Sequence, residues 1–331
     1  MSPTNIRVPS EPPSVASRGL AILSRPWVTA ILALALVITL GLVFHGNGAF
    51  YKWGTHRDAL RLISVYAILA CGMTVVILSA GIDLSVGSVL GLIAVAFSIL
   101  VVRWEWSAWT AVPACLLLGA CCGAASGSLI AWFRIQPFIV TLAMMVFARG
   151  LAKKISHGEK IWSAQTPEVF TRIDSRLWGE NISVVTLVLF ACLIVCWIGL
   201  TRLRWGRYVY AIGGNEEAAR LSGVPVSAMK IGVYALAGLF SAVAGICHAA
   251  QEYQGDPEAG ATYELTAIAI VVIGGTSLMG GRGGVGLTLL GTLIIGYVDK
   301  ILSINAVPEA NRLMLTGAII VVAVLVQRRK S

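Results

Sequence analysis

Ten apolar runs, at residues 28–44, 62–80, 86–102, 108–133, 137–152, 182–200, 231–250, 265–279, 285–298 and 313–326, leave this chain few folds to choose from. Roughly 20 apolar residues cross the hydrocarbon of a bilayer as an untilted helix. Inside hydrocarbon every backbone N–H and C=O needs a partner within the protein, so a series of such runs folds as a helical bundle. The expectation is an all-α polytopic membrane protein with about 10 transmembrane helices. Composition agrees, because 57% of the residues are hydrophobic, 12% are charged and the mean hydropathy is +0.83, well outside the soluble range. The runs 265–279 and 285–298 are short and joined by Gly280-Gly281-Arg282-Gly283-Gly284. A re-entrant hairpin there would leave eight spans, and either count puts both termini on one side.

The chain divides into a tail of residues 1–26, one transmembrane domain over 27–327 and a basic tail of 328–331. The first tail is rich in Ser and Pro and carries Arg7, Arg18 and Arg25. The run Val28 to Phe44 is long for a signal-peptide core and no Ala-x-Ala site follows, so it is expected to stay as an anchor. With ten spans, runs one to five and six to ten enter the membrane in opposite senses, as an inverted repeat requires, although the halves share no evident sequence similarity.

The formal charge of +9 comes from basic residues that are scattered, with no soluble module to carry them. A basic cytoplasmic face accounts for them and nucleic-acid binding does not. Arg202, Arg204, Arg207, Arg220 and Lys230 cluster in the loop 201–230, and Arg328, Arg329 and Lys330 end the chain. Lys and Arg near span ends favour the cytoplasm, so these segments and both termini are expected there. The loop 153–180 departs from the rule: it carries Lys153, Lys154, Lys160, Arg172 and Arg176 yet falls outside in this topology, together with Glu159, Glu168, Asp174 and Glu180.

All seven cysteines lie in or at the ends of apolar runs, where they read as small packed hydrophobes and not as a disulfide framework or metal site. There is no Gly-x4-Gly-Lys-Ser/Thr loop, Gly-x-Ser-x-Gly elbow or His-Glu-x-x-His motif, so no nucleotide-hydrolysing or hydrolytic site is expected on this chain.

Two polar segments stand out. In Gly81-Ile-Asp-Leu-Ser-Val-Gly87 a carboxylate and a hydroxyl interrupt apolar sequence, and a charge at the bilayer centre costs roughly 3 kcal/mol on insertion scales. Gly81 and Gly87 would permit unwound or tightly packed backbone there. In the loop 201–230, Asn215 suits an N-cap, Glu216 and Glu217 fall in a first helical turn, and Gly223-Val-Pro225 stops the helix. A short helix lying along the membrane face, open to a soluble partner, is expected.

Glu217-Ala218-Ala219-x3-Gly223 resembles the EAA-x3-G coupling signature of the membrane subunits of ATP-binding-cassette importers. Gly72 to Gly87, Gly206 to Gly245 and Tyr263 to Gly281 resemble the permeases of the ribose, xylose, arabinose and galactose importers, in that family's order, and the likeness runs from about residue 27 to the C-terminus. The resemblance implies a bacterial inner-membrane permease of which two copies form the pathway, with a cassette ATPase below and a periplasmic sugar-binding protein delivering a monosaccharide. ATP and Mg would then belong to the ATPase, and this chain would be neither an enzyme nor a cofactor protein. Asn215, Glu216, Glu217, Ala218, Ala219 and Gly223 would form the coupling helix.

Asp83 and Ser85, with Gly81 and Gly87, would either border the sugar's path or hold the helix ends, and Gly274, Thr276 and Ser277 pose the same choice because small residues also let helices pack closely. Gln136, Thr141, Met144 and Met145 in the fifth run are further pathway candidates. Thr266, Gln254 to Gly260 and Asp299 to Arg312 depart from the family pattern, on segments expected near the periplasm. An importer of nucleosides or a furanose signal stays open as an alternative, as does an ion-coupled secondary carrier using Asp83.

Overall fold

The computed structural model describes residues 26–328. The two tails read from the sequence, apart from Pro26 and Arg328 at their borders, lie outside the described residues.

Each apolar run forms its own helix. They are α1 (Pro26–Val43), α2 (Trp53–Leu78), α3 (Val86–Ser98), α4 (Ala108–Phe133), α5 (Pro137–Ser156), α7 (Val184–Thr201), α10 (Val226–Glu252), α11 (Tyr263–Gly274), α12 (Val285–Ile304) and α13 (Glu309–Arg328). A π-helical turn over Ile99–Arg103 prolongs α3. Among the described residues there are also three short α-helices, α6 (Glu168–Ile173), α8 (Arg204–Gly214) and α9 (Glu216–Leu221), and a 3-10 turn over Ala49–Tyr51. Strands β1 (Arg176–Leu177) and β2 (Ile182–Ser183) pair antiparallel.

Seven of the described helices are long and apolar enough to cross a bilayer: α1, α2, α3 with its extension, α4, α7, α10 and α12. Helices α5 and α11 fall short for separate reasons: α5 carries Arg149, Lys153 and Lys154, and α11 has only 12 residues. At 1.5 Å per residue α11 rises about 18 Å, against a hydrocarbon core of about 30 Å.

Helix α10 occupies the centre and packs against α4, α2 and α3. Its approach to α4 is set by Gly119, Gly123 and Gly127, which recur every four residues and so share one face. A methyl at Gly119 would lie 2.5 Å from the Gly238 carbonyl oxygen, and one at Gly123 would collide with the Tyr234 carbonyl. Hydrocarbon supplies no hydrophobic drive between helices, so close backbone contact of this kind is what holds such a pair.

The two ends of the bundle are separated by their contacts. At one end lie the α4–α5 turn, the segment 201–230, the α11–α12 loop and Pro26, which abuts Gly275. At the other, Asn305 Nδ2 donates to the Phe44 carbonyl at 2.8 Å, Trp53 Nε1 to Asn181 Oδ1 at 2.9 Å, and Ile161 bridges Gly255. The charged loop 153–180 lies at this second end, and ion pairs use up much of its charge. Arg61 binds Asp174 (2.5 Å), Arg176 binds Asp58 (2.8 Å), Lys153 binds Glu258 (2.6 Å), Lys160 binds Asp256 (3.0 Å) and Arg172 binds Glu168 (2.7 Å).

Two stretches inside the bundle are not helical, 79–85 after α2 and 253–262 after α10. The second does not stay at that second end of the bundle. It runs along α3, with Gly255 beside Ala94 and Ser98, Ala259 beside Gly91, and Gly260 against Gly87. Residues 254–262 and α11 together therefore make one broken element. Non-helical backbone at this depth is tolerated only where protein buries it or water lines it.

Candidate functional site

Helix α9 forms because its first turn is capped and charged to suit the helix dipole. Asn215, with extended backbone, accepts the Ala218 N–H on Oδ1 at 2.9 Å, and Glu216 and Glu217 fill the first turn. Gly223 ends it with φ +82°, and no neighbour lies within 4 Å of where its Cβ would be, so conformation and not space selects glycine there.

The two glutamates have different surroundings. Glu216 accepts Lys230 Nζ at 2.7 Å and Arg220 Nη2 at 2.8 Å, which ties α9 to the start of α10. Among the described residues Glu217 pairs only with Arg220, at 3.3 Å, and its side chain is 68% exposed. Ala219 is buried in the core, while Leu221 projects with 82% exposure. The helix thus presents Glu217 and Leu221 outward from a base fixed by Glu216 and Ala219.

Helix α8 connects this surface to the bundle interior. A methyl at Gly213 would collide with the Leu78 carbonyl and approach Gly281 N to 2.6 Å, and Gly281 N itself donates to the Leu78 carbonyl at 3.0 Å. Tyr210 Oη donates to the Gly283 carbonyl at 3.0 Å. The end of α2, the α8–α9 corner and the α11–α12 loop therefore meet at one point.

The break after α2 begins directly above. Asp83, 1% exposed, accepts two bonds on Oδ1, from Ser85 N at 2.8 Å and Ser85 Oγ at 2.6 Å, and so fixes the start of α3. The Ile82 carbonyl receives Thr141 Oγ1 at 3.4 Å and Tyr234 Oη at 3.5 Å. Gly81 makes room for that tyrosine, since a methyl there would lie 2.5 Å from Tyr234 Oη. Gly81, Asp83, Ser85 and Thr141 thus come together, with Tyr234 as a fifth member that sequence reasoning missed. A single aromatic on an apolar helix reads as core, and only its hydroxyl in an apolar run could have signalled it.

The remaining residues singled out in the sequence lie elsewhere. Gly87 faces away from the Asp83 cluster, toward Gly260 and Glu264. Gly274 lets α11 approach α12, where a methyl would collide with the Leu287 carbonyl. Thr276 is buried and accepts Gly284 N at 3.4 Å, and Ser277 Oγ accepts Met279 N at 3.3 Å, so both shape the α11–α12 loop. Met144 and Met145 are half-buried on α5, Met144 against the α3 side of the core. Gln136 lies beside α9, lining a cavity of about 380 Å³ with Glu216, Glu217, Arg220 and Lys230. Six of the cysteines are buried, Cys121 is exposed, and among the described residues no group of three metal-ligating side chains converges.

Residues 57–324 match the family described as the branched-chain amino acid transport system permease component. The chain is 41% identical to the ribose import permease protein RbsC of Escherichia coli (strain K12) over 303 residues, covering 90% of this chain and 92% of that one. It is 35% identical to the fructose import permease protein FrcC of Rhizobium meliloti over 92% of this chain and 86% of that one. With the L-arabinose transport system permease protein AraH of Escherichia coli (strain K12) it shares 38% identity, over 81% of this chain and 80% of the other. No solved structure matches it.

Proposed function

This chain belongs to the branched-chain amino acid transport system permease family, and on that footing we propose that it is the membrane subunit of an ATP-binding-cassette importer for a monosaccharide. Ribose, fructose and arabinose import permeases are its relatives, which supports a pentose or hexose as cargo. ATP is hydrolysed on a separate cassette ATPase, a periplasmic binding protein delivers the sugar, and two permease copies enclose the route. The connections between successive apolar helices fall alternately at the two ends of the bundle when residues 254–262 and α11 are counted as one traverse, which supports ten passes in the bacterial inner membrane with both termini cytoplasmic. The breaks after α2 and α10, the second helix of each set of five, support an inverted repeat.

The observation that carries the proposal is the construction of α9. A short helix with a buried base and an exposed Glu217 and Leu221 suits a lever gripped from outside, and a helix whose only role was to turn the chain would not need that outward face. Movement of α9 reaches the interior through Gly213, Leu78 and Gly281, where there is no slack between backbones. ATPase closure would thereby reach the Asp83 break and the α11–α12 loop together, the two elements whose rearrangement alternating access requires.

Uptake tests this directly. Proteoliposomes holding the permease, its ATPase and its binding protein are expected to accumulate labelled D-ribose, D-fructose or L-arabinose only with ATP. Accumulation without the ATPase, driven by an ion gradient, would contradict the proposal.

A further inference from the structure

The broken element 254–262/α11 carries charge at membrane depth that neither α9 nor the Asp83 cluster uses. Arg149 lies on α5, 12 residues beyond Pro137, hence about 18 Å from that end of the helix. Its Nη1 donates to the Pro257 carbonyl at 2.5 Å and the Ala259 carbonyl at 2.7 Å. Glu264, in the first turn of α11, stands on the other side of the break, within electrostatic reach of Arg149. One face of α3 is cleared for both groups: a methyl at Gly87 would lie 2.5 Å from Glu264 Oε2, and one at Gly91 would lie 2.8 Å from Arg149 Nη1. The two glycines are four apart and so lie one above the other on the helix.

Neither charge is spent on the other. No ion pair within 4 Å joins them among the described residues, and Arg149 Nε and Nη2 and the Glu264 carboxylate all retain bonding capacity. Both side chains are half-buried, and the adjoining Gly150, Ala261 and Thr262 are exposed on the protomer. Hydrocarbon accepts neither open backbone nor unpaired charge, so this surface faces water or another protein.

We propose that Arg149 and Glu264 form a polar station on the translocation route, where a guanidinium donor and a carboxylate acceptor on opposite sides of the broken element exchange hydrogen bonds with the hydroxyls of a neutral sugar. This rests on the importer assignment above and adds the residues that contact its cargo. A polyol suits the pair, because each hydroxyl both donates and accepts, so one sugar can bridge Arg149 and Glu264 without carrying charge itself.

The test uses the complete transporter in proteoliposomes, with Cys121→Ser removing the one exposed thiol. Thr262→Cys is expected to react with a membrane-impermeant methanethiosulfonate at least about tenfold faster than Leu36→Cys, an exposed position on the apolar helix α1, in either the resting or the vanadate-trapped transporter. Glu264→Gln is expected to lower sugar moved per ATP hydrolysed by about tenfold while binding-protein-stimulated ATP hydrolysis persists, and Glu264→Asp to restore part of it. A merely structural glutamate would change both activities together or neither. Equal reactivity of the two cysteines in both states, or an unchanged transport ratio in Glu264→Gln, would overturn the proposal. A wild type that hydrolyses no ATP with its partners would instead count against the importer assignment, and the cysteine comparison would still decide whether this surface is wet.

Discussion

Glu216 and Lys230 are joined by a 2.7 Å ion pair that fastens the first turn of α9 to α10, and Glu217, the next residue, has no such tie. Adjacent glutamates in one helical turn thus do different things. Lys230 is only 17% exposed at its side chain, so Lys230→Met leaves Glu216 with Arg220 alone and is expected to destabilise the corner by about 1 kcal/mol. Thermal unfolding in detergent should show a small downward shift, with Glu217→Gln unchanged.

Asp83 acts through the two bonds it accepts from Ser85. An asparagine oxygen can accept both, so Asp83→Asn should keep transport and nearly all stability, whereas Asp83→Ala leaves Ser85 N unpaired and should cost about 1–3 kcal/mol. An ion-coupled carrier predicts the reverse order for transport, since removing the charge would stop it. Uptake and unfolding temperature of the two variants, measured side by side, separate these cases.

The α4–α10 contact admits no added methyl at Gly123, where the Tyr234 carbonyl stands, and Gly199 on α7 has no neighbour within 4 Å. Gly123→Leu should therefore prevent stable folding, while Gly199→Ala should be neutral or stabilising by up to about 1 kcal/mol through helix propensity. Yield of monodisperse protein in mild detergent is the readout.

At the second end of the bundle, where the chain leaves α10 and meets Lys160, Asp256 shows a net downward shift from the ordinary Asp value. Partial burial pushes its pKa up, but the Glu258 N–H, the bond and charge of Lys160, and His248 together outweigh that. A depressed folded pKa contributes stability that is present above the unfolded value, about 3.9, and is lost as pH falls through the folded one. Asp256→Asn should thus lower the unfolding temperature at pH 7, and the gap from wild type should close as pH drops below about 4.

Much of α9 was legible because its determinants are local: a cap at Asn215, acids in the first turn and Gly223 at the stop all lie within nine residues. The separate roles of Glu216 and Glu217 were not, since they depend on Lys230, which folding brings alongside. The ten apolar runs located the helices, yet the course of 254–260 along α3 escaped notice because glycine, proline and acids there look like an ordinary surface loop. Its counterpart signals, Gly87 and Gly91, sit in a different helix. Tyr234 and the Gly119-Gly123-Gly127 face were hidden for a related reason, because periodicity marks a helix without saying which helix meets it. The charged loop 153–180 departs from the positive-inside pattern, and the partners of its ions, Asp58, Arg61, Asp256 and Glu258, lie on segments far from it in sequence, so its pairings were not legible.

The central claim is that α9 is the dock for a cassette ATPase. Purify the tagged chain from its native membrane in mild detergent and identify what remains bound, comparing wild type with Glu217→Arg. The exposed position of Glu217 predicts a variant that folds and inserts normally but releases a cassette ATPase that the wild type retains. Equal retention of that ATPase by both proteins, with uptake unchanged in the variant, would contradict the assignment.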